Sequence, residues 1–578
     1  MLISPLATSG DIIRAFGKEG YFWRTTQGDV AQVKVIVSIL KEKGGEKIAV
    51  FAENTTYGNT FYDWTGFFAT EYGLNISYIR QFEPGSITLS KDVADALKGN
   101  PDYIIAACGS SDASCIKNEV DHSKKPTKLF LTDSSATPNL ISTLGAAAEG
   151  LEGTSPTVDP SSGFSIAYQG KFGHLPTDFA APAYDAVLLA SYTTARQDAT
   201  IIESQADSIR HVVYGNGTPE GWDAQGSHEA IADIRRGGSP AISGASGPLD
   251  YDIEYGVDPL FTYYSHWVVE DGGFRTVSVI ASAKSGTPIV KGESVARSRA
   301  SENLMTIPKT GIVSYKPAAN KTDFQAVILG PSRGWMNYRH QSDALAVYTL
   351  LRENGVPDNK IILMLYDDVP FTSENPIKGD IHNVLAGKNL RSGAGVDYSG
   401  EQVTPLTLKQ VLLGNKTKTT PVVLESGNST DVFVYIASHG EPGEIDFSTR
   451  HSTLSTSDFR DVTETMYREG RYRQIVFFVD TCFGESIGIN ATVPGLLYLT
   501  AAAKDEPSLG TTYDASIRQW LSDEFTESVL DTIQADPDIT FRELYTAVYE
   551  KVIGSHARIL NTENFGNIDI PVKEFLQP

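Results

Sequence analysis

Short apolar runs alternate with amphipathic stretches along most of the chain. The run 47–53 (KIAVFAE) is apolar between its ends and predicts a strand buried on both faces. A helix carrying Trp64, Phe67 and Phe68 follows it. Further strands are expected at 76–82, 102–108 and 127–133, with a helix through Val93, Ala94 and Leu97 between the first two. Ala186, Leu189 and Ala190 mark a long buried helix over 178–197, and 268–280 reads as a hairpin turning at Asp271-Gly272-Gly273. From Asp323 the alternation resumes, with strands at 324–330, 360–366, 431–437, 474–480 and 495–502. Helices are expected at about 340–354, 404–413, 457–470, 514–534 and 540–552, the first closed by Gly355 and Pro357. Strands alternating with helices of this length predict βαβ units and an α/β fold with parallel sheets.

Between the two alternating regions the pattern stops. Residues 281–320 are rich in Ser, Gly and Lys without an apolar period, which is linker composition; the functional alternative is a processing site at the exposed basic residues. The expected organisation is a first domain over 1–282, a linker over 283–320 and a second domain over 321–578. A length of 578 residues agrees, being too great for one hydrophobic core.

Composition narrows the function. Hydrophobic content of 41% and charged content of 21% suit a globular protein. A net charge of −23 argues against a nucleic-acid partner, and no apolar run is long enough to span a membrane. Three cysteines do not make a disulfide scaffold; Cys108 and Cys115 could pair, which leaves Cys482 as the odd thiol. No HExxH and no zinc-type Cys/His spacing occurs, so neither a metal nor a cofactor is expected. Asp367-Asp368 reads as a turn after a strand. The first residues have no basic and apolar regions of a signal peptide.

The chemistry concentrates at two strand ends. His439 follows the strand 431–437 in Ser438-His439-Gly440, and Cys482 follows the strand 474–480 in Asp480-Thr481-Cys482. Ligands and reacting groups gather at the carboxyl ends of parallel strands. A thiol beside an imidazole there suits nucleophilic catalysis, with Gly440 and Cys482 amides as oxyanion donors. The bland alternative is a buried cysteine and a hydrogen-bonded histidine.

Residues 323–570 resemble the legumain family of caspase-like cysteine peptidases, which includes the catalytic subunit of GPI transamidase. The segments that carry the likeness are 326–369, NPIKG (375–379), DYSGEQVTP (397–405), VFVYIASHGEPG (432–443) and YRQIVFFVDTCFGES (472–486). The resemblance implies a caspase-like α/β/α domain acting on a peptide or protein substrate. In it Cys482 is the nucleophile, His439 its base and Asn337 the residue that orients the base. It also implies a pocket for the residue before the scissile bond, formed by Arg339, Asp480, Ser508 and Asp514. An arginine facing two carboxylates suits Asn, and suits Asp once protonated. Ser438 and Pro507 depart from the family pattern, so a strict Asn preference does not follow.

Residues 1–282 resemble the later part of a type I periplasmic binding protein of the branched-chain amino-acid kind. The likeness rests on ISPLATSGDI (3–12), YFWRTTQGDVAQ (21–32), KIAVFAENTTYGNTF (47–61) and GPLDYD (247–252). It implies a partial two-lobed domain binding a small amino-acid-like ligand, with Thr8 and Ser9 toward its carboxylate and Asp133 toward its amine. The alternative is a degenerate domain kept as a scaffold or docking surface. The opening segments of the first lobe are missing, which reads as a truncated or misassigned start. By resemblance the protein is periplasmic or extracellular. The expected function is a legumain-type cysteine endopeptidase fused to a solute-binding-like domain. The alternatives are a transpeptidase or transamidase using the same acyl-enzyme, or a solute sensor with a silent peptidase domain.

Overall fold

The structure is a computed structural model that describes residues 1–16, 20–199, 203–251, 259–282, 304–305, 315–317, 319–449 and 452–578. The chain divides into two compact units, Met1–Arg299 and Ala300–Pro578. The expected processing site and most of the expected linker lie outside the described residues. The parts of that linker that are described belong to the second unit: Leu304 and Met305 pack on its core, and the Tyr315 hydroxyl donates to Arg473 O at 2.9 Å.

In the first unit, β1 (Leu2–Ser4) and β2 (Phe22–Arg24) form a small parallel pair. The main sheet has seven strands: β3 (Lys47–Glu53), β4 (Asn75–Phe82), β5 (Tyr103–Ala107), β6 (Lys128–Leu131), β7 (Glu152–Thr157), β8 (Thr262–Glu270) and β9 (Gly273–Ser282). Their order is β9-β8-β7-β6-β5-β3-β4, parallel except at β7–β8 and β8–β9. The expected hairpin turn forms at Asp271 and Gly272, both at positive φ (52° and 69°), as a two-residue loop between twisted strands requires. Phe51, Ile104, Leu129 and Trp267 centre the core of this sheet. A second core gathers Trp23, Leu189, Tyr192 and Ile209 around α3 (Ala180–Ala199). Helices α1 (Asp29–Glu42) and α2 (Thr56–Tyr72) precede and follow β3 in the chain and pack on each other; Thr55 caps α2 by accepting from Gly58 N–H, and Gly73 closes it at φ 64°. Cys108 and Cys115 are free thiols, so the suggested pairing does not form.

The second unit holds another seven-stranded sheet: β10 (Asp323–Gly330), β11 (Ile361–Leu365), β12 (Tyr398–Ser399), β13 (Thr430–Ala437), β14 (Gln474–Asp480), β15 (Leu496–Thr500) and β18 (Arg558–Leu560). The order is β12-β11-β10-β13-β14-β15-β18, parallel except for β18. β13 and β14 are buried along their whole length, as strands covered on both faces must be. Helix α4 (Tyr338–Glu353) lies on one face.

The expected helix over 514–534 is corrected. Residues 510–523 form an antiparallel hairpin, β16 (Gly510–Asp514) and β17 (Gln519–Asp523), and the helix begins only at α5 (Glu524–Ala535). Tyr513 stacks edge-on against Trp520 across the ribbon, a cross-strand aromatic pair that favours the hairpin. Glu524 and Glu527 then start the helix with acidic residues at its positive end.

Candidate active site

The sheet register sets the site. Ala437 pairs with Asp480 at the ends of β13 and β14, and the Ser438 N–H donates to Asp480 O at 3.1 Å. His439 and Cys482 each follow their paired residue by two positions, so they leave adjacent strand ends side by side. Gly440 packs against the same turn: a Cβ there would meet Cys482 O at 2.5 Å, so only glycine fits. Asp446 N–H donates to His439 O at 3.0 Å, and Gly440 pairs with Ile445 on the neighbouring strand of this small ribbon.

Asn337 fixes the imidazole. Its Nδ2 donates to Arg333 O at 2.7 Å, leaving Oδ1 to meet His439 Nε2 at 2.7 Å. Nε2 therefore carries the proton of the neutral ring, and Nδ1 is the basic atom. Asn337 ends the short turn Trp335–Asn337, held in place by Gly334 N–H on Asp368 Oδ2 and Arg333 N–H on Ser448 Oγ, both at 2.9 Å. Asp368 also accepts from Gln341 Nε2 at 2.7 Å, which ties the segment after β11 to α4. His439 is open to solvent, yet surrounding protein and then the Arg339 charge lower its pKa to about 4. The neutral base thus persists through the physiological range. The Cys482 thiol donates to Ser508 O at 3.8 Å.

Beside these groups lies a cluster of buried charged side chains. Arg339 Nε donates to Asp523 Oδ1 at 2.7 Å. Burial opposes the guanidinium charge, but Asp523 and Cys482 outweigh it and raise its pKa. Asp480 accepts from Ser508 Oγ at 2.9 Å, and from Thr526 N–H and Oγ1 at 3.2 and 2.6 Å. Asp343 accepts from Asp523 N–H at 2.8 Å and from Ser522 Oγ. Oxygens of Asp343, Asp480 and Asp523 lie within 4.8 Å of one another, and all three residues are buried. Burial, then the Asp523 charge, raise Asp480 to about 8 and push Asp343 well above the carboxylate range. His340 stands edge-on to His439 with centroids 4.6 Å apart, and burial drives its pKa well down.

Asp514 does not join this group. It accepts from Ser516 N–H and Oγ within the hairpin loop, and Asp523 takes the place expected of it beside Arg339. The reason is the hairpin: a continuous helix would not have turned the chain back, whereas pairing of Gly510 with Asp523 brings the end of β17 to α4. Gly510 leaves room for the Arg339 side chain, whose Cδ would lie 3.2 Å from a Cβ. Sequence reasoning also missed Asp343, although a carboxylate four residues after Arg339 on an otherwise buried helix is a signal of inward-facing charge.

In the first unit the three singled-out residues converge on the first turns of α1 and α2. Ser9 Oγ lies 3.3 Å from Thr60 Oγ1 and accepts from Asp11 N–H; Thr8 O accepts from Asp29 N–H at 2.9 Å. Asp133 Oδ1 accepts from Tyr57 Oη at 2.7 Å and Gln32 Nε2 at 2.9 Å. Burial raises the Asp133 pKa despite these donors, and its charge in turn helps to raise Asp178 after burial has done so. Tyr57, Gln32 and Asp178 are partners that the sequence did not reveal.

Residues 325–575 match the model of the Peptidase C13 family, and residues 3–207 match that of a periplasmic binding protein. Human (Homo sapiens) legumain is 30% identical over 256 residues, covering 43% of this chain and 58% of that protein. The vacuolar-processing enzyme of Citrus sinensis is 37% identical over 192 residues, 32% of this chain and 39% of its own. The chain thus spans less than two thirds of the length of these relatives. A leucine-binding protein, LivK, from Thermotoga maritima is similar to 48% of this chain and covers 72% of its own, at 20% identity and a TM-score of 0.36. The second unit is accordingly a Peptidase C13-like α/β domain built on a mostly parallel sheet, and it follows a periplasmic-binding-protein-like one.

Proposed function

We propose that the second unit is a cysteine endopeptidase. The observation that carries this is the Asn337–His439 hydrogen bond at a strand end directly beside that of Cys482. In the reaction, His439 Nδ1 takes the Cys482 proton and the thiolate attacks the scissile carbonyl carbon. The Gly440 and Cys482 amides face the resulting oxyanion. His439 then returns the proton to the leaving amine, and water, activated by the same nitrogen, releases the acyl group from sulfur. Arg339, Asp523 and Asp480 form the pocket for the residue before the scissile bond. Arg339 donates to the oxygen of an Asn side chain and the carboxyl oxygens accept from its amide, which supports cleavage after Asn.

Replacing Cys482 by Ala tests the reading: turnover of an Asn-containing peptide is expected to fall by about 10⁴-fold or more with the fold intact. Retained turnover rejects it. For the first unit, Asp133 with Tyr57 and Gln32 supports a ligand bearing an amine, of the amino-acid type. Together with the periplasmic-binding-protein-like fold this supports a place outside the cytoplasm; among the described residues no helix is long and apolar enough to cross a membrane.

A further inference from the structure

A buried carboxylate–imidazole pair lies near the candidate nucleophile, in residues that the proposed reaction does not use. Glu506 and His556 are both fully buried. Glu506 Oε2 meets His556 Nδ1 at 2.9 Å, and its Oε1 accepts from Ala503 N–H at 2.8 Å and from the backbone N–H of His556. Burial opposes the carboxylate, yet the His556 charge prevails and holds Glu506 below its ordinary pKa. A buried carboxylate with this many donors is fixed in place, and losing one donor leaves it uncompensated.

The backbone of the same residue reaches the nucleophile. Glu506 O accepts the Phe483 N–H at 2.8 Å, and Phe483 directly follows Cys482. Phe483 has φ 56°, a left-handed conformation that non-glycine residues hold only when their surroundings enforce it. Two residues after Glu506, Ser508 supplies the carbonyl that accepts from the Cys482 thiol. One loop thus contacts the residue after the nucleophile and the thiol itself. The Glu506 carboxylate ties that loop to His556, two residues before β18.

We propose that the Glu506–His556 pair is a positioning device for Cys482: it fixes the loop whose carbonyls hold Phe483 in its left-handed turn and the thiol in its orientation. This rests on Cys482 as the nucleophile, a reading that the Cys482→Ala variant tests separately. The pair touches neither substrate nor sulfur, so its effect falls on thiol reactivity and kcat, and only slightly on KM.

The test uses two variants of the full chain. His556→Leu removes the imidazole donor at similar volume; His556→Asn keeps an N–H close to the Nδ1 position. Alkylation of Cys482 by iodoacetamide, followed on its own peptide by mass spectrometry, reports the thiol without engaging the substrate pocket. A decrease of at least tenfold is expected for His556→Leu, with kcat on a peptide falling in parallel and KM changing by less than about twofold. His556→Asn should stay within about threefold of the parent protein. A folded His556→Leu that alkylates and turns over normally overturns the proposal, and so does His556→Asn falling as far as His556→Leu. If His556→Leu does not fold, Glu506→Asp decides: it keeps the charge but withdraws the carboxylate by one methylene. An alkylation rate down at least fivefold supports the proposal, and an unchanged rate overturns it.

Discussion

Asp480→Asn should stabilise the protein, and more so as the pH rises. In the native state the Asp480 carboxyl titrates near pH 8, because burial and the Asp523 charge disfavour its ionised form. In the unfolded chain it titrates near its ordinary value of about 3.9. Between these two values the native state holds a proton that the unfolded state has released, so stability falls with rising pH by up to about 1.4 kcal/mol per unit. From pH 5 to pH 8 this amounts to at most about 4 kcal/mol, and less where Asp343 shares the proton. The amide cannot ionise and removes this dependence. Its Oδ1 can accept from Thr526 as Asp480 does, and its Nδ2 can face Ser508 Oγ, which turns to accept, so the lost contacts cost about 1 kcal/mol. Calorimetry at pH 5 and pH 8 in a Cys482→Ala background, where proteolysis cannot intervene, gives the answer. The advantage of Asp480→Asn should be several degrees larger at pH 8. An equal difference at the two pH values refutes the argument, since the carboxyl would then be ionised in both states.

Asn337→Ala should lower kcat less than His439→Ala does, because it disturbs the orientation of the base without removing it; equal losses in single-turnover assays would contradict this. The acid limb of kcat/KM should lie well below pH 6.5, since the Asn337-bound His439 stays neutral until about pH 4; a limb between 6 and 7 would show an ordinary imidazole. Asp523→Asn should reduce cleavage after Asn at least tenfold in a peptide library, and Asp514→Asn should leave it unchanged; the reverse order would restore Asp514 to the pocket. Gly440→Ala should cut activity at least a hundredfold, because its methyl would meet Cys482 O; normal turnover would mean that the strand ends part easily.

Strands such as 47–53, 431–437 and 474–480 were legible because burial on both faces demands unbroken apolar runs. β7 was not, although it is central and buried: its sequence is EGTSPT. Its small residues answer to Trp267 on β8, whose ring would lie 2.4 Å from a Cβ at Gly153 and whose indole N–H donates to Ser155 Oγ. Its hydrophobicity is supplied from the neighbouring strand, where a single-strand reading does not look. The hairpin 510–523 was lost for a related reason, since its stabilising Tyr513–Trp520 contact spans two strands. The hairpin matters at the site, since it places Asp523 beside Arg339, where the family resemblance alone had led Asp514 to be expected. Asn337, His439 and Cys482 were each visible through motif segments, while the Glu506–His556 pair, fifty residues apart along the chain, had no local signature.

The register of β13 on β14 separates two kinds of sequence change. The chemical geometry depends on two overhangs of two residues each, beyond Ala437 and Asp480. Apart from Asp446, whose N–H holds His439 O, and Ser448, whose hydroxyl accepts from Arg333 N–H, what the chain does between them, through the strands Glu444–Phe447 and Ser452–Ser455 and the helix Thr456–Arg468, only has to return to the sheet. Insertions and deletions at the tips of that excursion are therefore silent at the thiol and imidazole. A change of one residue within either overhang turns its side chain to the opposite face. Evolution can lengthen, shorten or redecorate the far part of this excursion, beyond Ser448, while the centre of the site stays locked to a count of two.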